Sequence, residues 1–428
     1  MHINLLKELI LEQKALQSQR KTGIERVCLQ KIETHVLSSH IIIVSGIRRC
    51  GKSTLLEQIM EKYYNNNEYY YFNFEDERLL NFTVDDFNNL YEAFLELYGE
   101  RKVFFFDEIQ NVNKWEAFIR RMHDAGFKIF LTGSNASMLS REIGTRLTGR
   151  HIQIMLTPFS FNEYLHFKAV YPDDKMLLTN IGRAKIKKYF NEYLIHGGLP
   201  EYLKYNDSAM IQHLYNDILY RDIAARYDIK DVRALRDLSF YLVSNIATGI
   251  SYNRLASMIG LGSVNTVKSY LEYLENSYLT TFILKFDASV RKQMMNQRKV
   301  YVADNGIARL ASINFFENRG PFLENLVFNE LNRRYDRCFY YKTTKNKEVD
   351  FYIHDNHSVS KLIQVSDSLR NGKTRTREIG SLVEAMEECK LKTGFVLTSD
   401  EEEIITEKGK TIQVLPIYKW LINSADNI

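Results

Sequence analysis

Proline is scarce in this chain, at 5 residues in 428, and glycine contributes only 20. That composition excludes collagen-like tracts and argues against long linkers. Cysteine is equally sparse. Cys28, Cys50, Cys338 and Cys389 are scattered, with no CxxC pair and no histidine at metal-ligand spacing. Neither a disulfide framework nor a zinc site is expected, and a reducing, cytoplasmic compartment fits. Long apolar runs are missing as well. "IIIV" at 41–44 and "VFFF" at 103–106 fall far short of the ~20 residues that span a bilayer, so no membrane partner is expected. The N-terminal "MHINLLKELILEQK" mixes Glu with Lys and lacks a small-residue cleavage site, so it reads as an amphipathic helix rather than a signal peptide. A strong charge of one sign is absent too: 57 basic and 53 acidic residues leave +4, which neither demands nor excludes a nucleic-acid partner.

What is present points to chemistry. Hydrophobic residues make up 45% and charged residues 26%, and the length suits about three domains of ~100–200 residues. In "HIIIVSGIRRCGKSTLLEQIMEKYY" four β-branched residues, Ile41 to Val44, read as a buried strand. Gly46-Ile47-Arg48-Arg49-Cys50-Gly51-Lys52-Ser53-Thr54 follows, then a helical pattern. The glycines let backbone N–H groups close around phosphates, and the helix aims the positive end of its dipole at them. Lys52 is expected to reach the β- and γ-phosphates and the Ser53 hydroxyl to bind Mg²⁺. A second strand, "RKVFFFDEIQ", ends in Asp107-Glu108. There Asp107 would hold the metal through water and Glu108 would polarise the attacking water. No guanine-specifying NKxD pattern follows, so ATP is the expected nucleotide.

A third strand, "KIFLTGSNASML", ends in Thr132-Gly133-Ser134-Asn135. Asn135 reads either as a sensor of the γ-phosphate or as part of a turn into a helix N-cap. Strands alternating with helices imply a parallel sheet with its ligand at the strand C-terminal ends. Arg141, Arg146 and Arg150 cluster beyond the sensor strand. Arg150 is the favoured arginine finger, supplied to a neighbouring subunit of a homo-oligomer; the alternative is a solvated or intrachain-paired arginine.

These segments resemble the bacterial and archaeal AAA+ ATPases whose C-terminal half is a domain of unknown function. The resemblance is carried by "GIRRCGKST", "FFDEIQ", "LTGSNASML", "LTGR" and "TPFSFNEYL", in that order, then by "YLIHGGLPEYL", "YRDIAARY" and "GPFLENLVFNEL". It runs from about residue 20 to the end. It implies an α/β fold: an AAA+ P-loop core at 1–157 behind the N-terminal helix, a helical lid at 158–235, a winged helix at 236–316, and a PD-(D/E)XK nuclease-like domain at 317–428.

The later segments carry readings of their own. "YRDIAARY" places Arg221 and Arg226 on a lid helix, either near a γ-phosphate or in surface ion pairs. "GISYNRLASMIGLGSVNTVKSYLEYLE" reads as helix, turn, helix, with Gly260 and Gly262 at the break. Its second helix offers Lys268 against Glu272 and Glu275, a weak phosphate surface. The following "SVRKQMMNQRK" is better, with Arg291, Lys292, Arg298 and Lys299 on an expected wing that contacts either DNA or protein. In the tail, a helix bearing Glu324 precedes strands "CFYYKTT", "EVDFYI" and "KLIQVS", the element order of PD-(D/E)XK nucleases. Glu324 and Asp350 can ligate Mg²⁺, but Gln364 stands where a carboxylate belongs and Ser366 where a lysine belongs. The expectation is a retained frame that has lost its chemistry. The whole reads as a Mg²⁺-dependent ATPase acting on a nucleic acid or protein. The alternatives are an interaction module that uses ATP as a switch, and an ATP-fuelled nuclease.

Overall fold

The apolar runs of the first 157 residues become one parallel sheet. In the computed structural model, which describes residues 1–134, 149–310, 318–354 and 361–423, the chain divides into two units. The first is Met1–Thr157 with Asn276–Tyr278; the second is Pro158–Glu275 with Leu279–Ile428. In the first, strands β1 (Ile41–Ser45), β2 (Tyr69–Asn73), β3 (Val103–Asp107), β4 (Lys128–Gly133) and β5 (His151–Met155) pair in the order β2-β3-β4-β1-β5. Every pairing is parallel, so every strand C-terminus lies at the same edge. Parallel neighbours need crossovers. Helices α3 (Lys52–Tyr63), α4 (Phe87–Tyr98) and α5 (Trp115–Asp124) follow β1, β2 and β3 in turn, after α1 (Ile3–Ser18) and α2 (Leu29–Val36).

The "VFFF" run shows why this sheet is buried on both faces. Side chains alternate along a strand. Phe104 and Phe106 stack on one another at 5.1 Å and meet Phe118, which itself stacks on Phe87 at 4.4 Å. Phe105, on the opposite face, stacks on Phe130 at 4.6 Å. Helix α1 adds Leu6, Leu9 and Ile10 to the first of these clusters, at the spacing of one helical face.

In the second unit, residues 158–235 are mainly helical, and the "YRDIAARY" segment includes a π-helical stretch, Ile218–Ala224. Helices Tyr252–Ile259 and Val264–Asn276 are joined at Gly260, whose φ of 74° closes the first of them. A small antiparallel sheet follows, ordered β6 (Gly249–Ile250), β8 (Arg298–Val302), β7 (Thr280–Ile283). The expected wing tip contains a short helix instead, Val290–Met295, because the Ser289 hydroxyl accepts from the Lys292 N–H and caps it. The last sheet comprises β9 (Cys338–Lys342), β10 (Glu348–Ile353), β11 (Lys361–Ser366), β12 (Thr393–Thr398), β13 (Glu403–Glu407) and β14 (Lys410–Pro416), ordered β13-β14-β12-β11-β10-β9. Helix Gly372–Glu388 crosses from β11 to its parallel partner β12. The chain is thus α/β, a five-stranded parallel core with a further sheet at its C-terminal end.

Two motifs of the sequence meet in this second unit. Asp304 of "ADNG" accepts from the Gly198 N–H at 2.6 Å and from the Gly306 N–H at 2.8 Å. Gly197 has a φ of 71°, and a Cβ there would lie 1.9 Å from the Asp304 carboxylate, so "HGGLP" needs its first glycine. Asn305 donates to the Leu194 and Phe322 carbonyls, and Asn325 to Asn305. Burial pushes the Asp304 carboxyl up to about 6, against the N–H groups that favour its ionised form. A raised carboxyl gives stability that is complete below its unfolded value, near 4, and lost as pH rises through 6. A rise from near 4 to about 6 corresponds to about 2–3 kcal/mol. Urea midpoints of the wild type should therefore fall from pH 4 to pH 7 more steeply than those of Asp304→Asn. Parallel curves would contradict this origin.

Candidate functional site

The edge of the first sheet where the strands end is built around one lysine. The chain leaves β1 at Gly46, bends through Arg49 (φ 62°) and Gly51 (φ 98°), and enters α3 at Lys52. Gly46 has to be glycine because the loop passes against the next strand: a Cβ would lie 2.0 Å from the Leu156 carbonyl oxygen. Lys52 is 4% exposed and donates to the Gly46 and Ile47 carbonyls at 3.3 and 3.2 Å. Burial alone would lower its pKa, but the charge of Glu108, with that of Asp107, outweighs it and holds the ammonium charged. Ile47 and Cys50 are buried, and burial pushes the Cys50 thiol up, so it is an inert filler. Arg48 pairs with Glu75 at 3.2 Å, and Ser53 and Thr54 open the helix half-exposed.

The acidic pair sits opposite. Asp107, at the end of β3, is fully buried, and Thr132 of the neighbouring strand β4 donates its hydroxyl to Oδ1. Its Oδ2 is buried without a hydrogen-bond partner, while the Ser53 hydroxyl interacts with the same carboxylate. Burial, then the Glu108 charge, lifts Asp107 to about 6. A buried, unsatisfied carboxylate oxygen beside a serine hydroxyl is what a hard cation requires, so these residues fit Mg²⁺. Glu108 is held at φ 50°, a left-handed conformation uncommon outside glycine, and its N–H donates to Thr132 Oγ1 at 2.8 Å. The same threonine hydroxyl therefore fixes both acids. Glu108 lies 3.6 Å from Lys52 and accepts from Gln110. Burial opposes its charge, but Lys52 prevails and holds it below the usual carboxylate range. Two adjacent carboxyls are thus pushed apart, one towards neutrality and one towards full ionisation.

Thr132 belongs to the polar run 132–135 at the end of β4, and it is the member that binds the two acids. Two further residues of this unit escaped the sequence reading. Arg26 donates to the Cys50 carbonyl at 2.9 Å and the Thr157 carbonyl at 2.7 Å, tying the loop to the segment after β5. Tyr278, at φ 60°, places its hydroxyl near Gln153, which donates to the Ser45 hydroxyl at 2.8 Å. Neither belongs to a contiguous motif with the loop.

Arg150 is placed elsewhere. It immediately precedes β5, whose first residue pairs with Ile41, so it lies at the edge opposite Gly46. It pairs with Asp124 at 3.0 Å. Asn135, Arg141 and Arg146 lie outside the described residues.

In the second unit, Glu324 and Asp350 do come together, through a residue assigned to the exposed wing. Lys299 is 4% exposed, and its ammonium lies 2.9 Å from Glu324, 2.7 Å from Glu348 and 3.4 Å from Asp350. It is therefore not part of a basic surface, because β8 is the central strand of its sheet and turns Lys299 and Tyr301 inward together. Gln364 accepts from the Asp350 N–H at 3.3 Å and donates to Glu378 at 2.8 Å. Ser366 donates its hydroxyl to the Ser368 carbonyl. Arg221 and Arg226 also lie in this unit.

Comparison with known proteins gives a family. A family model described as an AAA domain matches residues 38–165, and two domains of unknown function (DUF8612 and DUF4143) match 187–318 and 319–420. An uncharacterized protein of Methanocaldococcus jannaschii is 34% identical over 434 residues, 97% of this chain and 95% of its own length. The chain belongs to this family of AAA-domain proteins. A Haemophilus influenzae relative in the family, also uncharacterized, is 29% identical over 76% of this chain and 82% of its own length. Among solved structures, the Aeropyrum pernix Orc1 protein in complex with DNA covers 67% of this chain and 92% of its own, at 12% identity and a TM-score of 0.28, which carries no functional argument. The P-loop edge lies within the matched AAA domain, an ATPase domain of the P-loop type. Among the described residues no helix is long and apolar enough to cross a membrane.

Proposed function

We propose that this family member is a Mg²⁺-dependent ATPase that couples ATP to action on a nucleic acid or protein partner. The observation that carries the reading is the Asp107 carboxylate. One of its oxygens is buried and unsatisfied beside Ser53, with Lys52 and an ionised Glu108 within the same few ångströms. Ser53 and Asp107 would hold Mg²⁺, whose bound form neutralises charge on the phosphates. Phosphate oxygens would replace the Gly46 and Ile47 carbonyls as partners of Lys52. Backbone N–H groups from Ile47 to Thr54 would close around the phosphates, as in other glycine-framed loops. Glu108, relieved of Lys52, would orient the attacking water and take its proton, and Thr132 keeps the two acids in register. Water adds to the γ-phosphorus, the bond to the β-phosphate oxygen breaks, and ADP and phosphate leave.

Arg150 has no role at the phosphates of its own chain in this reading, because the length of β5 separates it from the loop. It would serve as a finger only across a homo-oligomer. Asn135 remains the proposed γ-phosphate sensor. The boundaries at 157, 235 and 316 are proposed as those of core, lid, winged helix and terminal domain. For DNA, the helix pair around Gly260 offers Asn265, Thr266 and Lys268, and the Val290–Met295 helix offers exposed Arg291 and Lys292. Loss of Lys299 from that surface weakens the case for phosphate contacts and strengthens the one for a protein partner. Phosphate release from Mg²⁺-ATP, measured with and without DNA at low salt, tests both parts. Turnover absent in Lys52→Ala and present in the wild type supports the ATPase; turnover that ignores Lys52 sinks it. Stimulation by DNA supports a nucleic-acid partner, and no stimulation with no binding removes that part alone.

A further inference from the structure

The acidic centre of the terminal domain already contains a cation, and that cation belongs to the chain. A magnesium site needs carboxylate oxygens with lone pairs to spare, close to octahedral around the ion. Here both oxygens of Asp350 and Glu348 and one of Glu324 are engaged. Glu324 Oε1 accepts from both Lys299, at 2.9 Å, and the Tyr301 hydroxyl, at 2.7 Å. Asp350 gives Oδ1 to Lys299 at 3.4 Å and Oδ2 to the Val365 N–H at 2.9 Å. Glu348 gives Oε1 to Lys299 at 2.7 Å and faces Lys342 through Oε2 at 3.2 Å. The amide that stands in for a fourth ligand, Gln364, is committed to the Asp350 N–H and to Glu378. Among the described residues, no group of three or more His, Cys, Asp or Glu is arranged to hold a metal ion. The Lys299 ammonium takes up one oxygen of each of the three carboxylates, so a divalent ion would have to displace it from them. The residues present therefore do not fit a resident Mg²⁺.

We propose that the Lys299 ammonium stands permanently where a nuclease-like centre would hold its divalent metal, so that the cluster is a fastening between the three-stranded sheet and the terminal domain rather than a cleavage centre. The lysine comes from β8, and the carboxylates come from helix Gly320–Arg334 and β10. A covalently tethered cation does not dissociate, and the two elements are further joined where the Tyr340 hydroxyl donates to the Gln297 carbonyl at 2.7 Å. Removing the ammonium leaves three carboxylates with no cation between them, and drawing them in around a divalent ion would balance their charge.

The test is Mn²⁺ stoichiometry on the full-length chain without nucleotide, by equilibrium dialysis and by the Mn²⁺ electron-spin signal. Lys299→Met, which keeps the length of the side chain and removes its charge, should gain one bound Mn²⁺ per chain. Its thermal midpoint should rise on adding Mn²⁺, and the gain should vanish in Lys299→Met/Asp350→Asn. A folded Lys299→Met that binds no more Mn²⁺ than the wild type would overturn the proposal. Should Lys299→Met fail to fold, the wild type compared with Asp350→Asn still decides: equal stoichiometry supports the fastening. An extra Mn²⁺ in the wild type that Asp350→Asn lacks, or Mn²⁺-dependent strand scission lost in Asp350→Asn, overturns it. Metal at the P-loop is common to both proteins in that comparison and cancels.

Discussion

Glu108→Gln should leave nucleotide bound and reduce phosphate release by roughly 10²–10⁴-fold, the range that a positioned general base contributes. The substitution is nearly isosteric. An amide oxygen still accepts from Gln110, and the backbone N–H to Thr132 is untouched. What is lost is the charge that offsets buried Lys52 and the basicity that takes a proton from water. A less neutralised Lys52 attracts phosphate at least as well, so affinity for ATP should hold or tighten while turnover collapses. Fluorescent-nucleotide binding and phosphate release, measured on the same preparation, separate the two effects. Equal turnover in variant and wild type would move the base to another residue.

Gly46→Ala should be a strongly damaging substitution for its size. The added methyl would meet the Leu156 carbonyl oxygen at 2.0 Å, and that oxygen is backbone held by the Leu156 N–H bond to Ser45 at 2.7 Å. Neither side can rotate away, so the loop or the end of β5 must move. Overpacking of this kind costs about 1–3 kcal/mol where some relief exists, and more where it does not. The P-loop would also be displaced, so nucleotide affinity should fall by at least ~100-fold, the result of misplacing several N–H donors at once. Gly260→Ala is the control. Its φ is 74° but nothing lies within 4 Å of the added carbon, so its cost should be that of the backbone alone, about 1 kcal/mol. Urea midpoints of the two variants rank them, and a Gly46→Ala protein as stable as Gly260→Ala would refute the steric account.

What the sequence revealed followed the range over which its signals act. The loop from Gly46 to Thr54, the acids at 107 and 108 and the strand that carries them are local, each legible from a dozen residues. The helix pair with its break at Gly260 was legible for the same reason. Arg26 was not, because it works by reaching a backbone carbonyl 24 positions away in the chain. Lys299 was misread outright. In "NQRKVYV" it looks like the end of a basic run, since charge runs usually face water. The alternation Lys299, Tyr301 against Val300, Val302 was the available signal that both faces of β8 are covered. The glycines of "HGGLP" had no reading until Asp304 was seen beside them, 107 positions from Gly197.

The Lys299 cluster also bears on how this family can change over generations. The lysine lies in one matched domain and its three acids in the next, on either side of a junction at 318/319. A recombination event at that junction would deliver an acidic centre to a host with no ammonium to meet it, or an ammonium with no acids. Either hybrid buries unbalanced charge, which costs several kcal/mol when one partner of such a pair is missing. The two domains are therefore expected to be inherited together, exchangeable as a pair but not singly, although their names divide them.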